Sequence, residues 1–225
     1  MNDEQQSTIV ERPVTPTYIT VSRTARYFTL GPTDGSAREI LFVLHGYGQQ
    51  ADEFLESFRP LDDGTRLIVA PEGLSRFYPK GQDGNVGASW MTKVDRIQEI
   101  EEYVSFLDTV RTQIESTLKA GFGIPVSILG FSQGGATAAR WASLGAKPAT
   151  RVIIWGSSVP PDIDPENKRI RRMALTLVHG RRDPLSSPEQ IRSERERLAQ
   201  AGITYEWVEF DGGHSIDAEV LKRLF

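Results

Sequence analysis

The stretch Val126-Ser127-Ile128-Leu129-Gly130-Phe131-Ser132-Gln133-Gly134-Gly135 constrains the fold more than any other. An apolar run stops in a turn of small residues around a serine, then resumes with helical character. A serine that attacks a carbonyl must stand on a sharp strand-to-helix turn with its hydroxyl exposed. Bulk two positions before or after it would collide with that turn, so glycine is needed at both places, and Gly130 and Gly134 occupy them. Gly135 adds room for the helix to pack closely on the strand. The first amides of such a helix point at the site and suit a developing negative charge. The bare pattern also fits a tight glycine-rich turn of an ordinary α/β protein, so the rest of the chain decides its meaning.

Residues 1–16 read as a loose tail, and residues 17–225 as one domain. Tyr18 to Val21 and Arg26 to Leu30 suggest two short strands in an antiparallel hairpin. Glu39 to Leu44 and Arg66 to Ala70 are nearly continuous apolar runs of the kind buried on both faces of a parallel sheet, with a helix over about Asp52 to Phe58 between them. Glu72 to Asp95 is a long glycine-rich loop without periodicity, and a loop of that length usually carries function. Ile97, Ile100, Val104, Leu107, Val110, Ile114 and Leu118 recur at helical spacing and mark a long amphipathic helix, closed by Gly121 and Gly123. Strands follow at Val126 to Gly130, Val152 to Trp155, Ala174 to Val178 and Tyr205 to Phe210. Helices are expected around Ala136 to Leu144, Pro188 to Ala201 and Ile216 to Leu224. This alternation predicts an α/β fold, with a mostly parallel twisted sheet of about eight strands and helices on both faces. Active residues in such sheets sit on loops at the carboxyl ends of the strands.

A chain of 225 residues with 26 basic and 30 acidic side chains has a net charge of −4, which argues against a nucleic-acid partner. The cluster Lys168-Arg169 and Arg171-Arg172 reads as a solvated outer face. Without cysteine there is no disulfide, thiolate zinc site or cysteine nucleophile. The N-terminus is polar and acidic where a signal peptide is basic and then apolar, and no apolar run is long enough to span a bilayer. A cytoplasmic protein without integral membrane association is the expectation.

A serine nucleophile needs a base and a group that orients the base. Of three histidines, His45 and His179 end strands and suit structural roles. His214, in Asp211-Gly212-Gly213-His214-Ser215, lies on a loop that two glycines free to swing back over the sheet. Asp183, in His179-Gly180-Arg181-Arg182-Asp183-Pro184-Leu185, follows a strand and is also a plausible turn residue. The chain order Ser132, Asp183, His214 is that of α/β-hydrolase triads. In this reading Ser132 attacks, His214 moves the proton and Asp183 holds the imidazole tautomer. The amide of Gln133 supplies one oxyanion donor, and the glycine-flanked amide of Tyr47 in His45-Gly46-Tyr47-Gly48 supplies the other.

Leu44-His45-Gly46-Tyr47-Gly48-Gln49, Gly130-Phe131-Ser132-Gln133-Gly134-Gly135, His179-Gly180 with Asp183-Pro184-Leu185, and Gly213-His214-Ser215 together resemble the phospholipase/carboxylesterase family, which includes the acyl-protein thioesterases. Ser89-Trp90 is similar to a further family element near the acyl site. The resemblance implies a serine esterase without metal or organic cofactor, acting on small-molecule carboxylic esters or thioesters. It supports the triad and both oxyanion amides residue by residue. The chain departs from the family pattern at Ser186-Ser187-Pro188 and at Gly156-Ser157-Ser158-Val159-Pro160, loops that flank the acyl site and so bear on the substrate.

Phe77, Tyr78, Trp90, Met91, Val159 and Leu185 fall on loops expected around Ser132 and are candidate walls of an acyl pocket, though each also suits loop anchoring. The segment from Gly156 to Arg172 is too short for a large cap domain, which leaves a fairly open cleft. Arg181 and Arg182 could draw an acidic group but read more simply as surface arginines. The leading expectation is a carboxylesterase for small to medium acyl esters. A thioesterase or lysophospholipase is the alternative within the same chemistry, and a catalytically silent binding module on the same fold the alternative outside it. A dienelactone-type hydrolase is disfavoured by the lack of cysteine, and a homodimer is left open.

Overall fold

The computed structural model describes residues 14–81, 84–118 and 123–225. Its strands are β1 (Tyr27–Leu30), β2 (Glu39–Leu44), β3 (Arg66–Pro71), β4 (Ser75–Phe77), β5 (Gly87–Ser89), β6 (Val126–Phe131), β7 (Arg151–Trp155), β8 (Ala174–Gly180) and β9 (Glu206–Phe210). The helices are α1 (Ala51–Glu56), α2 (Arg96–Thr117), α3 (Gln133–Leu144), α4 (Pro188–Gln200) and α5 (Ala218–Leu224). Seven strands form one sheet in the order β1-β3-β2-β6-β7-β8-β9, parallel throughout except for β1.

Side chains alternate across this sheet and feed a separate apolar layer on each face. Ile40, Phe42 and Leu44 of β2 pack with α2, α3 and Leu198 of α4. Leu41 and Val43 of the same strand pack with α1 and α5. Phe42 meets Trp141 of α3 edge-on, with ring centroids 5.0 Å apart. That geometry suits the aromatic quadrupoles and fixes α3 against the sheet centre.

Three expectations are corrected. Tyr18 to Val21 forms no strand; it is exposed, and the Tyr18 hydroxyl donates to Asp95 (2.7 Å) near the start of α2. The hairpin therefore does not form. An isolated two-stranded ribbon buries little, whereas pairing β1 with β3 lays Phe28 and Leu30 against the α1 face. The main sheet accordingly has seven strands. The loop from Glu72 to Asp95 is not wholly irregular, because β4 and β5 pair in it as a small antiparallel hairpin. Residues 1–13 of the expected tail and Gly121 of the expected helix end lie outside the described residues.

The turn between β6 and α3 depends on absent side chains. A Cβ on Gly134 would stand 2.1 Å from the Leu44 carbonyl oxygen, and one on Gly130 would stand 2.0 Å from the Gly134 carbonyl oxygen. Both contacts are with backbone, which cannot step aside. Gly134→Ala should therefore cost about 3 kcal/mol, or roughly 6–12 °C in melting temperature for a domain of this size. Thermal unfolding followed by circular dichroism checks it, and an unchanged melting temperature would contradict the close approach.

Candidate active site

Because β2, β3, β6, β7, β8 and β9 run in parallel, their carboxyl ends bring six loops to one edge of the sheet. Ser132 follows β6 with φ 53° and ψ −120°, a backbone conformation that side chains rarely adopt. It is held there by its own amide, which donates to the Trp155 carbonyl (2.8 Å), and by its carbonyl, which accepts from Gly135 (2.9 Å). The strained turn leaves the hydroxyl at the amino end of α3, facing a cavity of about 480 Å³ that His214 also lines.

Asp183 follows β8 and is buried. Its Oδ2 lies 2.7 Å from Nδ1 of His214, and its Oδ1 accepts from the Leu185 amide (2.8 Å). With both carboxylate oxygens engaged, Nδ1 of His214 carries the proton and Nε2 is left as the basic nitrogen. The ring rests on Phe131, centroid to centroid 4.7 Å, and its loop is tied by the Trp155 indole donating to the Ser215 carbonyl (3.0 Å). Gly156 makes room for this pair: at φ +60°, a Cβ there would stand 3.1 Å from Cε1 of His214 and 3.5 Å from Oδ2 of Asp183.

The loop after β2 offers a free amide. Gly46 donates to Oε1 of Gln49 (2.7 Å), Gly48 to the Ala88 carbonyl (2.9 Å) and Gln49 to the Gly46 carbonyl (3.3 Å). Among the described residues, the amides of Tyr47 and of Gln133, the first residue of α3, have no acceptor. Gln133 uses its side chain differently: Oε1 accepts from the Trp90 amide (3.0 Å) and Nε2 donates to the Met91 carbonyl (2.8 Å), clamping the chain after β5 onto the start of α3.

His45 is a structural residue of this loop. Its Nε2 accepts from the Gly73 amide (2.9 Å), so Nδ1 donates to the Gly46 carbonyl (2.8 Å). Trp90 stacks on the ring and its indole donates to the His45 carbonyl (2.8 Å). Burial pushes the His45 pKa down and keeps the ring neutral. His179 lies in the cavity wall, stacked on Trp207 at 4.6 Å, and neither ring nitrogen has a partner among the described residues. Its pKa is also lowered by burial, against opposing pulls from Asp183 and Glu209.

Of the six expected pocket residues, Val159 and Leu185 line the cavity beside Ser132. The other four do not. Trp90 is buried in the core against His45 and Tyr103, Met91 packs on that core, Phe77 stacks on Tyr47 at 4.9 Å, and Tyr78 projects into solvent. Hydrogen bonding to Gln133 turns residues 89–91 inward, which accounts for the first two. Arg181 and Arg182 are exposed and pair with Glu209 and Asp211. Sequence reasoning missed Arg140 and Glu194 in the cavity wall. Arg140 had a signal: it sits eight residues after Ser132 in an otherwise small, apolar run, on the helix face that also carries Ala136. Among the described residues, no group of three or more histidine, aspartate or glutamate side chains is placed to hold a metal ion. No described helix is long and apolar enough to cross a membrane.

A strand-turn-helix serine with an aspartate and a histidine on later strand ends of a mostly parallel sheet defines an α/β-hydrolase. Residues 27–224 match the family model described as Phospholipase/Carboxylesterase, so the chain belongs to that family and is a serine hydrolase. Zea mays acyl-protein thioesterase 2 superposes over 89% of this chain and 96% of its own, with 16% identity and a TM-score of 0.69. A carboxylesterase from Mesorhizobium loti covers 89% and 93% at 18% identity and a TM-score of 0.68. The Bacillus cereus carboxylesterase covers 89% and 95% at 14% identity and a TM-score of 0.64. At these identities the likeness is one of fold. No curated protein matches the chain in sequence.

Two histidines held neutral by burial link pH to stability. Their native pKa values lie below the unfolded value of about 6.5, so the unfolded chain binds protons that the native protein refuses. Their contribution is complete above that value and is lost as pH falls below it. The melting temperature should drop between pH 7 and pH 5, and His179→Phe, which preserves the stack on Trp207, should flatten that slope. Equal slopes in both proteins would rule His179 out as a contributor.

Proposed function

We propose that the chain is a serine carboxylesterase for small to medium acyl esters, with Ser132 as nucleophile, His214 as base and acid, and Asp183 as the group that orients the imidazole. The observation that carries this reading is the 2.7 Å bond between His214 and the buried Asp183, facing one cavity with a serine held at positive φ. Ser132 Oγ attacks the carbonyl carbon while Nε2 of His214 takes its proton. The tetrahedral oxyanion accepts hydrogen bonds from the amides of Tyr47 and Gln133, each contributing about 3 kcal/mol to the barrier reduction. His214 then protonates the leaving alkoxide, which departs as the carbonyl re-forms on an acyl-serine. Water attacks that ester, His214 receives the water proton and returns it to Oγ, and the free acid leaves. Asp183 remains a carboxylate throughout.

A cavity of about 480 Å³ suits a small or medium acyl group. The same steps cleave a thioester with a thiolate leaving group, and one structural neighbour is named as an acyl-protein thioesterase. Residues 17–225 acting as one domain in the cytoplasm complete the proposal, supported by a family match over residues 27–224 and by a cysteine-free chain without a membrane-spanning helix among the described residues.

Turnover of p-nitrophenyl acetate and butyrate tests the mechanism. Ser132→Ala should lower kcat by a factor of about 10³ or more, and Asp183→Asn should have an effect of similar size. A fluorophosphonate probe should label the wild-type protein and leave Ser132→Ala unlabelled. Full activity in the serine variant would sink the proposal, and an unlabelled, inactive wild type would favour a silent binding module.

A further inference from the structure

The cavity wall holds a charge that ester hydrolysis alone does not need. Arg140 is buried within α3 and contributes to the wall. Its Nε and Nη2 donate to the two carboxylate oxygens of Asp162 at 2.9 Å each. Among the described residues, the one hydrogen bond of its Nη1 runs to the thioether of Met91 at 3.5 Å, a weak acceptor. Asp162 is already shared, because Arg96 donates to its Oδ1 at 2.6 Å. Two guanidinium groups thus face one carboxylate, which hydrogen bonding from Arg140 holds ionised by lowering its pKa to about 2. The buried Tyr103 hydroxyl lies beside the Arg140 guanidinium: burial pushes its pKa up, and the charge and hydrogen bonding of Arg140 oppose that push.

Other charges near the cavity are accounted for. Glu194 accepts from the Val159 amide (2.9 Å) and pairs with Arg197 (2.7 Å). Asp183 is engaged with His214 (2.7 Å). The surplus positive charge therefore lies where Arg96 and Arg140 share Asp162. Helix α3 sets the spacing, since Gln133, Ala136 and Arg140 fall on one face, and eight residues at 1.5 Å each place the Arg140 backbone about 12 Å from that of Ser132. The small Ala136 side chain keeps the path between them open.

Resting on Ser132 as the acylated residue, we infer that this site takes an acyl chain ending in a carboxylate, the half-ester or half-thioester of a dicarboxylic acid, with Arg140 as the residue that selects the distal anion. A terminal carboxylate gives this Nη1 donor what the thioether cannot: a charge-assisted bond to oxygen. A neutral alkyl chain of the same length would leave that buried cation facing hydrocarbon, so discrimination follows from what is left unpaired as well as from what is gained.

The test compares the p-nitrophenyl half-esters of succinic, glutaric and adipic acids with their methyl-capped neutral diesters. The wild-type protein should favour the anionic member of at least one pair by tenfold or more in kcat/KM, and Arg140→Met should bring that ratio close to one. Asp162→Asn separates recognition from loop anchoring, because it removes the partner and leaves the guanidinium. The anionic preference should survive or grow in that variant. No anionic preference in the wild type, or its loss in Asp162→Asn as well as in Arg140→Met, overturns the inference. Calorimetric titration with adipate gives a readout independent of turnover. Saturable binding weakened at least tenfold by Arg140→Met supports the site even where the nucleophile assignment fails, and absence of binding to the wild type counts against the site even where the esterase reading holds.

Discussion

The distance between two backbone segments governs this molecule. Where β6 turns into α3, the Gly134 backbone passes so close to the carbonyl of Leu44 that not even a methyl group fits between them. The approach draws the end of β2, the end of β6 and the start of α3 into one small volume. Within it lie Ser132 at φ 53° and the amides of Tyr47 and Gln133. The strain at Ser132 is of the order of 1–3 kcal/mol. It is offset by the sheet beneath, where β2 and β6 are buried on both faces, and by the amide bond from Ser132 to Trp155. Packing on two faces thus sustains a backbone conformation that a peptide would not hold.

A second layer of bonding fixes the groups around that turn without taking part in the chemistry. His45 bridges Gly46 and Gly73, Trp90 covers its ring, and Gln133 ties the chain after β5 to the start of α3. The hairpin of β4 and β5 joins the same fabric through Gly48 and Ala88. Three of four consecutive amides, those of Gly46, Gly48 and Gln49, are thereby satisfied, and the one between them has no acceptor among the described residues. A donor aimed at a developing charge is worth most when nothing must rearrange to present it. The arrangement is built from neutral parts, because burial keeps the His45 imidazole uncharged.

Sheet strands and long helices were legible in the sequence because their signals are local: continuous apolar runs for β2, β3 and β6, and a seven-residue apolar series for α2. The elbow was legible for a different reason, since glycine on both sides of a serine encodes a steric demand directly. Pairing of β1 was not, because Tyr18 to Val21 and Tyr27 to Leu30 carry similar patterns, and which one joins the sheet depends on the free edge of β3, a feature of the assembled fold. The pocket was the least legible. Trp90 and Met91 look like loop aromatics and aliphatics available to a substrate, yet Gln133 turns them inward from 43 and 42 residues away. Arg140 went unread because an arginine in a helix is normally a surface residue, and only Asp162 on a distant loop gives it reason to be buried.

The bond between the Gly48 region and β5 also bears on how such a protein changes over generations. Gly87 lies against Gly48 so closely that a Cβ there would stand 2.3 Å from the Gly48 carbonyl oxygen, and Ala88 exchanges hydrogen bonds with Gly48 and Gln49. One end of the long excursion after β3 is therefore stitched to the loop that carries the Tyr47 amide. Length variation close to Gly87 would reach the loop after β2, whereas variation around Gly81, where a Cβ would meet nothing within 4 Å among the described residues, would not. The excursion joins a segment under tight steric control to one open to insertion, so new sequence can accumulate around Gly81 while the backbone beside Gly48 and Gln49 is held unchanged.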